Sequence, residues 1–268
     1  MSALKIVTIN ILFDLSRWAE RRDLLVQGLA QLKPDLVALQ EVRLPENTAQ
    51  WLADQLGYAH VSLCPKTSFE RRKEALAILS RLPFQAQGWL DLGGQHRVAQ
   101  YVQVSHGDLP LVLANTHLYW QPGESPTRLR QVERLLAWLK DLPGEPACIV
   151  CGDFNGTPET QAIQRMRQDL VSAFAAVNGH EPDYTCPTPL PHAFWPSLRT
   201  LLGFFLLVRP SQLDLSWRGT LDYIFLDPRL EPLACQVVLD QPSKDRPDIY
   251  PSDHFGLCAD ITFKNPGR

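Results

Sequence analysis

The chain has 268 residues, 45% hydrophobic and 21% charged, with 26 basic against 29 acidic side chains and a formal charge of −3. That balance is too apolar for a disordered chain. It also lacks the basic excess of a general nucleic-acid coat protein, while leaving room for an enzyme that handles phosphate with one cation and a few local arginines.

The first residues run straight into the strand-like Ile6-Val7-Thr8-Ile9, with no signal-peptide apolar region. The longest apolar run, 201–208, is broken by Gly203 and falls short of the roughly 20 residues that cross a bilayer. A cytoplasmic protein without a stable membrane span is expected. In chain order, β-rich runs stand at 5–10, 36–41, 75–80, 98–104, 111–116, 147–153, 221–226, 235–239 and 257–263. Many are near-continuous apolar stretches, the pattern of strands covered on both faces. Trp18, Leu25, Leu29 and Leu32 share one stripe of a helix that ends before Pro34. Leu129, Val132, Leu135, Leu136 and Leu139 do the same on a helix of about 127–140. So many strands with two or more helices predict a layered α/β sandwich rather than one small doubly wound sheet.

No repeat, low-complexity tract or Gly/Ser linker divides the chain, so 1–268 reads as a single domain. Within it, about 185–219 differs in character. It is dense in proline (Pro187, Pro189, Pro191, Pro196, Pro210) and carries Phe194, Trp195 and the 201–208 run, which reads as an inserted loop. Six cysteines are present, and most lie in apolar strand-like stretches as buried reduced thiols. Cys148 and Cys151 form a C-x-x-C, but three residues along a strand put their side chains on opposite faces.

Polar residues of catalytic type recur where these runs end. Asn10 closes the first and Glu41 the second; Asn115-Thr116-His117 follows 111–114; Asp153 and Asn155 follow 148–152; Asp222 opens 223–226; Ser252-Asp253-His254 precedes 255–257. Strand ends of layered α/β folds are where side chains from distant sequence converge. Any one of these residues alone is most simply a cap or a turn. Together they suit phosphate-ester hydrolysis. Carboxylate and amide oxygens bind Mg²⁺ or Mn²⁺, a carboxylate can position and deprotonate water, and a histidine beside an aspartate stays protonated near neutral pH.

The segments Thr8-Ile9-Asn10, Leu39-Gln40-Glu41-Val42, Ala77-Ile78-Leu79-Ser80-Arg81, Asn115-Thr116-His117-Leu118, Gly152-Asp153-Phe154-Asn155, Leu221-Asp222-Tyr223 and Ser252-Asp253-His254 resemble, in order, the endonuclease/exonuclease/phosphatase superfamily. Three longer stretches are most similar to its nocturnin, carbon-catabolite-repressor deadenylase and 2′-phosphodiesterase branch. They are 114–120, 151–155 with 157–160, and 250–254. At the proline-rich apolar insert the sequence departs from that branch.

The resemblance implies a four-layer α/β/β/α sandwich of two mixed β-sheets, with the site at one edge between them. It implies Glu41 as principal metal ligand, with Asn10 beside it and Asp253 at or near a Mg²⁺ (or Mn²⁺) ion. Asp153 would orient and deprotonate water, and Asn155 would align that water or the phosphate. His254, held by Asp222, would contact a phosphate oxygen, with His117 opposite and Glu74 paired to His117. Arg128 and Trp120 are the candidates for substrate phosphate and base, with Tyr119 and Arg97 as further stacking candidates; a solvated helix arginine is the alternative for Arg128. The favoured substrate is a nucleotide or nucleic acid, and a monomer is expected. A lipid-directed phosphodiesterase or phosphatase is the alternative, if Phe194, Trp195 and 201–208 form an apolar lip beside the site; Phe204, Phe205 and Leu206 would then be exposed. A binding module that kept the fold without catalysis is the third reading.

Overall fold

In the computed structural model, residues 3–67, 73–107, 109–187 and 218–264 are described. In chain order the first half holds β1 (Leu4–Asn10), α1 (Trp18–Leu32), β2 (Leu36–Arg43), α2 (Thr48–Leu56), β3 (His60–Pro65), β4 (Glu74–Ser80), β5 (Ala86–Gly93), β6 (Arg97–His106) and β7 (Leu109–His117). The second half holds α3 (Pro126–Lys140), β8 (Ala147–Asp153), α4 (Gln161–Asp169), β9 (Val171–Ser172), α5 (Ala173–Asn178), β10 (Cys186–Pro187), β11 (Arg218–Gly219), β12 (Asp222–Leu226), β13 (Leu230–Val238) and β14 (Gly256–Phe263).

Two six-stranded mixed sheets form, ordered β13-β14-β1-β2-β4-β3 and β5-β6-β7-β8-β12-β9. Their inner faces meet over Ile6, Leu36, Ile78, Leu113, Ile149, Ile224, Leu257 and their neighbours. Leu25 and Leu29 of α1 and Leu52 of α2 seal the outer face of the first sheet. Val132, Leu135 and Leu136 of α3 and Ile163 of α4 seal that of the second. The four-layer α/β/β/α sandwich is therefore the fold. Each fully buried aliphatic side chain stabilises it by about 1.5–3 kcal/mol against exposure, which is why the central strands read as continuous apolar runs. Cys148 lies under the helices and Cys151 between the sheets, on opposite faces of β8. The six cysteines are free and buried.

Several elements carry little sequence signal. β3 and β5 are edge strands, and β5 alternates exposed and half-buried positions over most of its length. α2 and α4 span only 9 residues each. α2 is marked by its ends instead: the Asn47 side chain accepts the Gln50 amide, and Gly57 closes it in the left-handed region.

Most of the insert, with Phe194, Trp195 and 201–208, lies outside the described residues. Its flanks pair antiparallel, Cys186 opposite Gly219. No helix among the described residues is long and apolar enough to cross a membrane.

Candidate active site

Strand register assembles the site. β7 runs parallel to β8 with His117 opposite Asp153, and β12 runs antiparallel to β8 with Asp222 opposite the same Asp153. Three side chains far apart in sequence thus share one row at the end of the second sheet. The row needs Gly152. At φ 134° a side chain there would sit 2.0 Å from the Thr116 carbonyl oxygen, so the approach of β8 to β7 admits no Cβ.

The first sheet delivers Asn10 and Glu41. In β2 the pairing with β4 slips between Leu39 and Val42, and Glu41 takes φ 60°. This bulge re-aims the carboxylate out of the regular alternation of the strand. Glu41 Oε2 accepts the Phe13 amide at 2.7 Å, and Asn10 Oδ1 accepts the Leu12 amide at 3.0 Å. Asn10 Nδ2 then donates to both Glu41 Oε1 and Asp153 Oδ2, each at 3.1 Å, so carboxylates from the two sheets turn to one point. Ser252 donates to the Asn10 carbonyl at 2.6 Å and lies 3.2 Å from Asp253 Oδ1, which holds Asp253 beside this group.

The sheets are joined just behind the site by a buried amide ladder. Gln40 donates to Thr8 Oγ1 at 3.1 Å and to Asn115 Oδ1 at 2.8 Å; Asn115 donates to the Leu39 and Ala77 carbonyls at 3.0 Å each. Asn115 is thus a clamp between the layers.

Two imidazoles flank Asp153 Oδ2, His117 Nε2 at 3.3 Å and His254 Nε2 at 3.9 Å. Burial works against a charged His254. Opposing it stand Cys186, Asp222 and Asp153, and the ring is held well above its ordinary value. The Cys186 thiol is itself pushed up by burial. Asp222 accepts from His254 Nδ1 at 2.9 Å. His117 goes the other way: burial, then Arg97, Lys66 and His254, hold it well below its ordinary value. Asp153 is raised by burial, with Asp222 adding to the effect and His254 opposing it.

Glu74 stands at the site, but its pairing with His117 is loose. Its Oε1 is 3.7 Å from His117 Nδ1, 3.8 Å from Arg97, and in direct contact with Lys66 Nζ. Lys66 is 7% exposed, and burial pushes its pKa down to about 8. Sequence reasoning missed Lys66; a lysine after an edge strand gives no warning that it turns inward. Arg97 lies in this same cluster.

Asn155 (φ 50°) binds Asp153 Oδ1 through its backbone amide at 2.9 Å and donates from Nδ2 to the Leu118 carbonyl at 3.2 Å. Its Oδ1 has no hydrogen bond among the described residues. Arg128 departs from the expectation of a phosphate contact. It is 0% exposed, and its guanidinium donates to the carbonyls of Tyr119 (3.0 Å), Gln121 (3.1 Å) and Gly123. Those bonds tie down the loop before α3 and spend the guanidinium on the chain's own carbonyls, out of solvent. Trp120 is half-buried in that loop, its amide 3.3 Å from Gln95 Oε1.

Among the described residues, two places could receive a cation. Asp153, Asp222 and His254 offer ligand atoms within 4.8 Å of one another. There, however, Asp222 Oδ2 already accepts from both Thr185 and His254. The half-buried Glu41, with Asn10 and Asp253, is an all-oxygen set that suits a hard dication better.

A family model described as the Endonuclease/Exonuclease/phosphatase family matches residues 7–254. Mus musculus 2′,5′-phosphodiesterase 12 is 30% identical over 215 residues, covering 72% of this chain and 33% of the mouse protein. Mus musculus nocturnin is 24% identical over 271 residues, covering 92% and 59% respectively. The chain therefore spans about a third of the length of the first of these relatives. The human nocturnin catalytic domain with bound sulfate superposes with a TM-score of 0.73 at 23% identity, covering 98% of this chain and 95% of that one. D. rerio TDP2 complexed with single-strand DNA product gives 0.76 at 19% identity, covering 98% and 100%. At such identities these two likenesses are of fold.

Proposed function

Because this chain belongs to the endonuclease/exonuclease/phosphatase family, we propose that it is a divalent-metal-dependent phosphodiesterase acting on a nucleotide or a nucleic-acid end. The observation that carries this reading is Asp153. One buried carboxylate stands within 3.1 Å of Asn10, 3.3 Å of His117 and 3.9 Å of His254, with Glu41 sharing the same Asn10 amide.

Each group has a task. Asp153, raised by burial, is a base able to take a proton from water near neutral pH. Asn155, with Oδ1 uncommitted among the described residues, accepts the second hydrogen of that water and aligns it. His254 carries its proton and offers Nε2 to a phosphoryl oxygen whose charge grows in the transition state. His117 offers a hydrogen bond from the other side. Glu41, Asn10 and Asp253 would hold Mg²⁺ or Mn²⁺, which supplies charge neutralisation at the phosphoryl oxygens. Buried Lys66 and Arg97 add positive potential beside the site, which favours an anionic diester. The diester reading is supported by the likeness to 2′,5′-phosphodiesterase 12 and the nucleic-acid side by that to D. rerio TDP2 with its single-strand DNA product, and Trp120 and Tyr119 are the aromatics nearest in sequence to His117.

The test is turnover of bis-p-nitrophenyl phosphate, p-nitrophenyl phosphate and oligo(A) by the full chain. Hydrolysis of the diester and of oligo(A), silenced by EDTA and restored by Mg²⁺ or Mn²⁺, is expected. Turnover that survives complete chelation, or none of these substrates cleaved with either ion, overturns the proposal.

A further inference from the structure

The Asp222–His254 pair hangs on a residue that no motif marks. Thr185 is fully buried, and its Oγ1 accepts the amide hydrogens of Leu221 at 3.0 Å and Asp222 at 3.1 Å. With both acceptor sites taken, the single hydroxyl hydrogen has one place to go, Asp222 Oδ2 at 2.6 Å. The Thr185 backbone is equally committed. Its amide donates to the Gly219 carbonyl at 3.0 Å, and its carbonyl accepts the Phe255 amide at 2.6 Å, next to His254. One residue therefore fastens the strand that carries Asp222 and the turn that carries His254.

We propose that Thr185 is a positioning residue for the Asp222–His254 pair. Its hydroxyl keeps Asp222 Oδ2 aimed at His254 Nδ1, and its backbone holds the His254 turn in register. An oxygen that already accepts the Thr185 hydroxyl and the Nδ1 hydrogen is a carboxylate acceptor, so the Nδ1 hydrogen is fixed and Nε2 is the nitrogen left facing Asp153. Thr185 touches no reacting atom and acts through its neighbours. The inference rests on the phosphodiesterase reading for its kinetic consequence, but not for its structural one.

The experiment compares Thr185→Val, Thr185→Ser and Thr185→Cys in the full chain. Kinetics with bis-p-nitrophenyl phosphate and Mg²⁺ are read alongside the downfield imidazole N–H resonance of His254, assigned by its loss in His254→Gln. Thr185→Val should lower kcat roughly 10- to 100-fold with KM changed less than about threefold, and should lose the resonance. Thr185→Ser, which keeps the hydroxyl, should restore both. Thr185→Val leaves two buried amides without an acceptor; if it does not fold, Thr185→Cys, a weak donor of similar size, is read by the same criteria. A kcat within about threefold of wild type in the hydroxyl-less variant, or Thr185→Ser as impaired as Thr185→Val, overturns the proposal. If the wild-type chain cleaves no diester, the phosphodiesterase reading fails and the resonance alone decides. Kept in Thr185→Ser and lost in the hydroxyl-less variant, it upholds the role of Thr185; kept in both, it ends it.

Discussion

His254 and His117 flank the same carboxylate oxygen of Asp153, and both are buried, yet one ring is held protonated and the other neutral. The difference lies in their far sides. His254 Nδ1 meets Asp222 at 2.9 Å, a carboxylate whose other hydrogen bond among the described residues comes from the neutral Thr185 hydroxyl. His117 Nδ1 faces Glu74 at 3.7 Å, and that carboxylate is in contact with Lys66 and 3.8 Å from Arg97. A negative charge spent on two cations no longer stabilises an imidazolium. Burial alone does not set the charge of a histidine; the neighbours' neighbours do.

Asp153→Asn removes the group both rings share and gives the largest effect. Turnover should fall roughly 1,000-fold or more. Burial raises the Asp153 carboxyl, so its ionised form costs folding stability above the unfolded value. The neutral amide should therefore melt at the same temperature or higher, and a calorimetric scan beside the assay checks both halves. Asp222→Asn attacks the His254 side alone. It should lower kcat roughly 100-fold and bring the His254 titration, followed by NMR, down toward its ordinary value, a larger movement than any rise in His117 from losing the His254 charge. A His254 that still titrates high without Asp222 would break the comparison.

Lys66→Met sharpens the other side. Removing one of the cations that hold His117 down should raise the His117 titration and leave His254 unmoved. The smallest effect is on stability against pH in metal-free protein. The His254 value is raised on folding, so its contribution is fully present below about 6.5 and fades as pH rises through the folded value. The His117 value is lowered, so stability drops as pH falls below about 6.5, where only the unfolded chain takes up the proton. His254→Gln should flatten the alkaline limb of the melting-temperature profile and His117→Gln the acid limb. Equal effects of both variants on one limb would contradict the opposite charges.

Much of the fold could be read in advance because the central strands are buried on both faces. 147–153 was bounded as it stands, and 36–41, 75–80 and 111–116 lie within β2, β4 and β7. The edge strands β3 and β5 escaped, since a strand with one solvated face and a free edge needs no apolar run. Candidate site residues at the ends of central strands stand out for the same reason. Asn10, Glu41, His117, Asp153 and Asp222 each interrupt or close an apolar stretch, and a polar group there demands an explanation. Thr185 and Lys66 sit in no such stretch. Arg128, read as a phosphate contact or a solvated helix arginine, gives no sequence sign of the three loop carbonyls at 119–123 that turn it inward.

Patterned hydrophobicity along the chain was thus enough to predict a layered α/β sandwich and to mark which residues end its strands, because burial of a strand is a property of its own side chains. Which of those residues touch, and with what charge, was decided by register and packing. The meeting of His117, Asp153 and Asp222 depends on how β7, β8 and β12 align, and the protonation of each imidazole depends on partners 20 to 101 positions away, outside its own motif: His254 on Asp222 and Asp153, His117 on Lys66 and Arg97. Electrostatic energy falls with distance in space and is blind to distance in sequence.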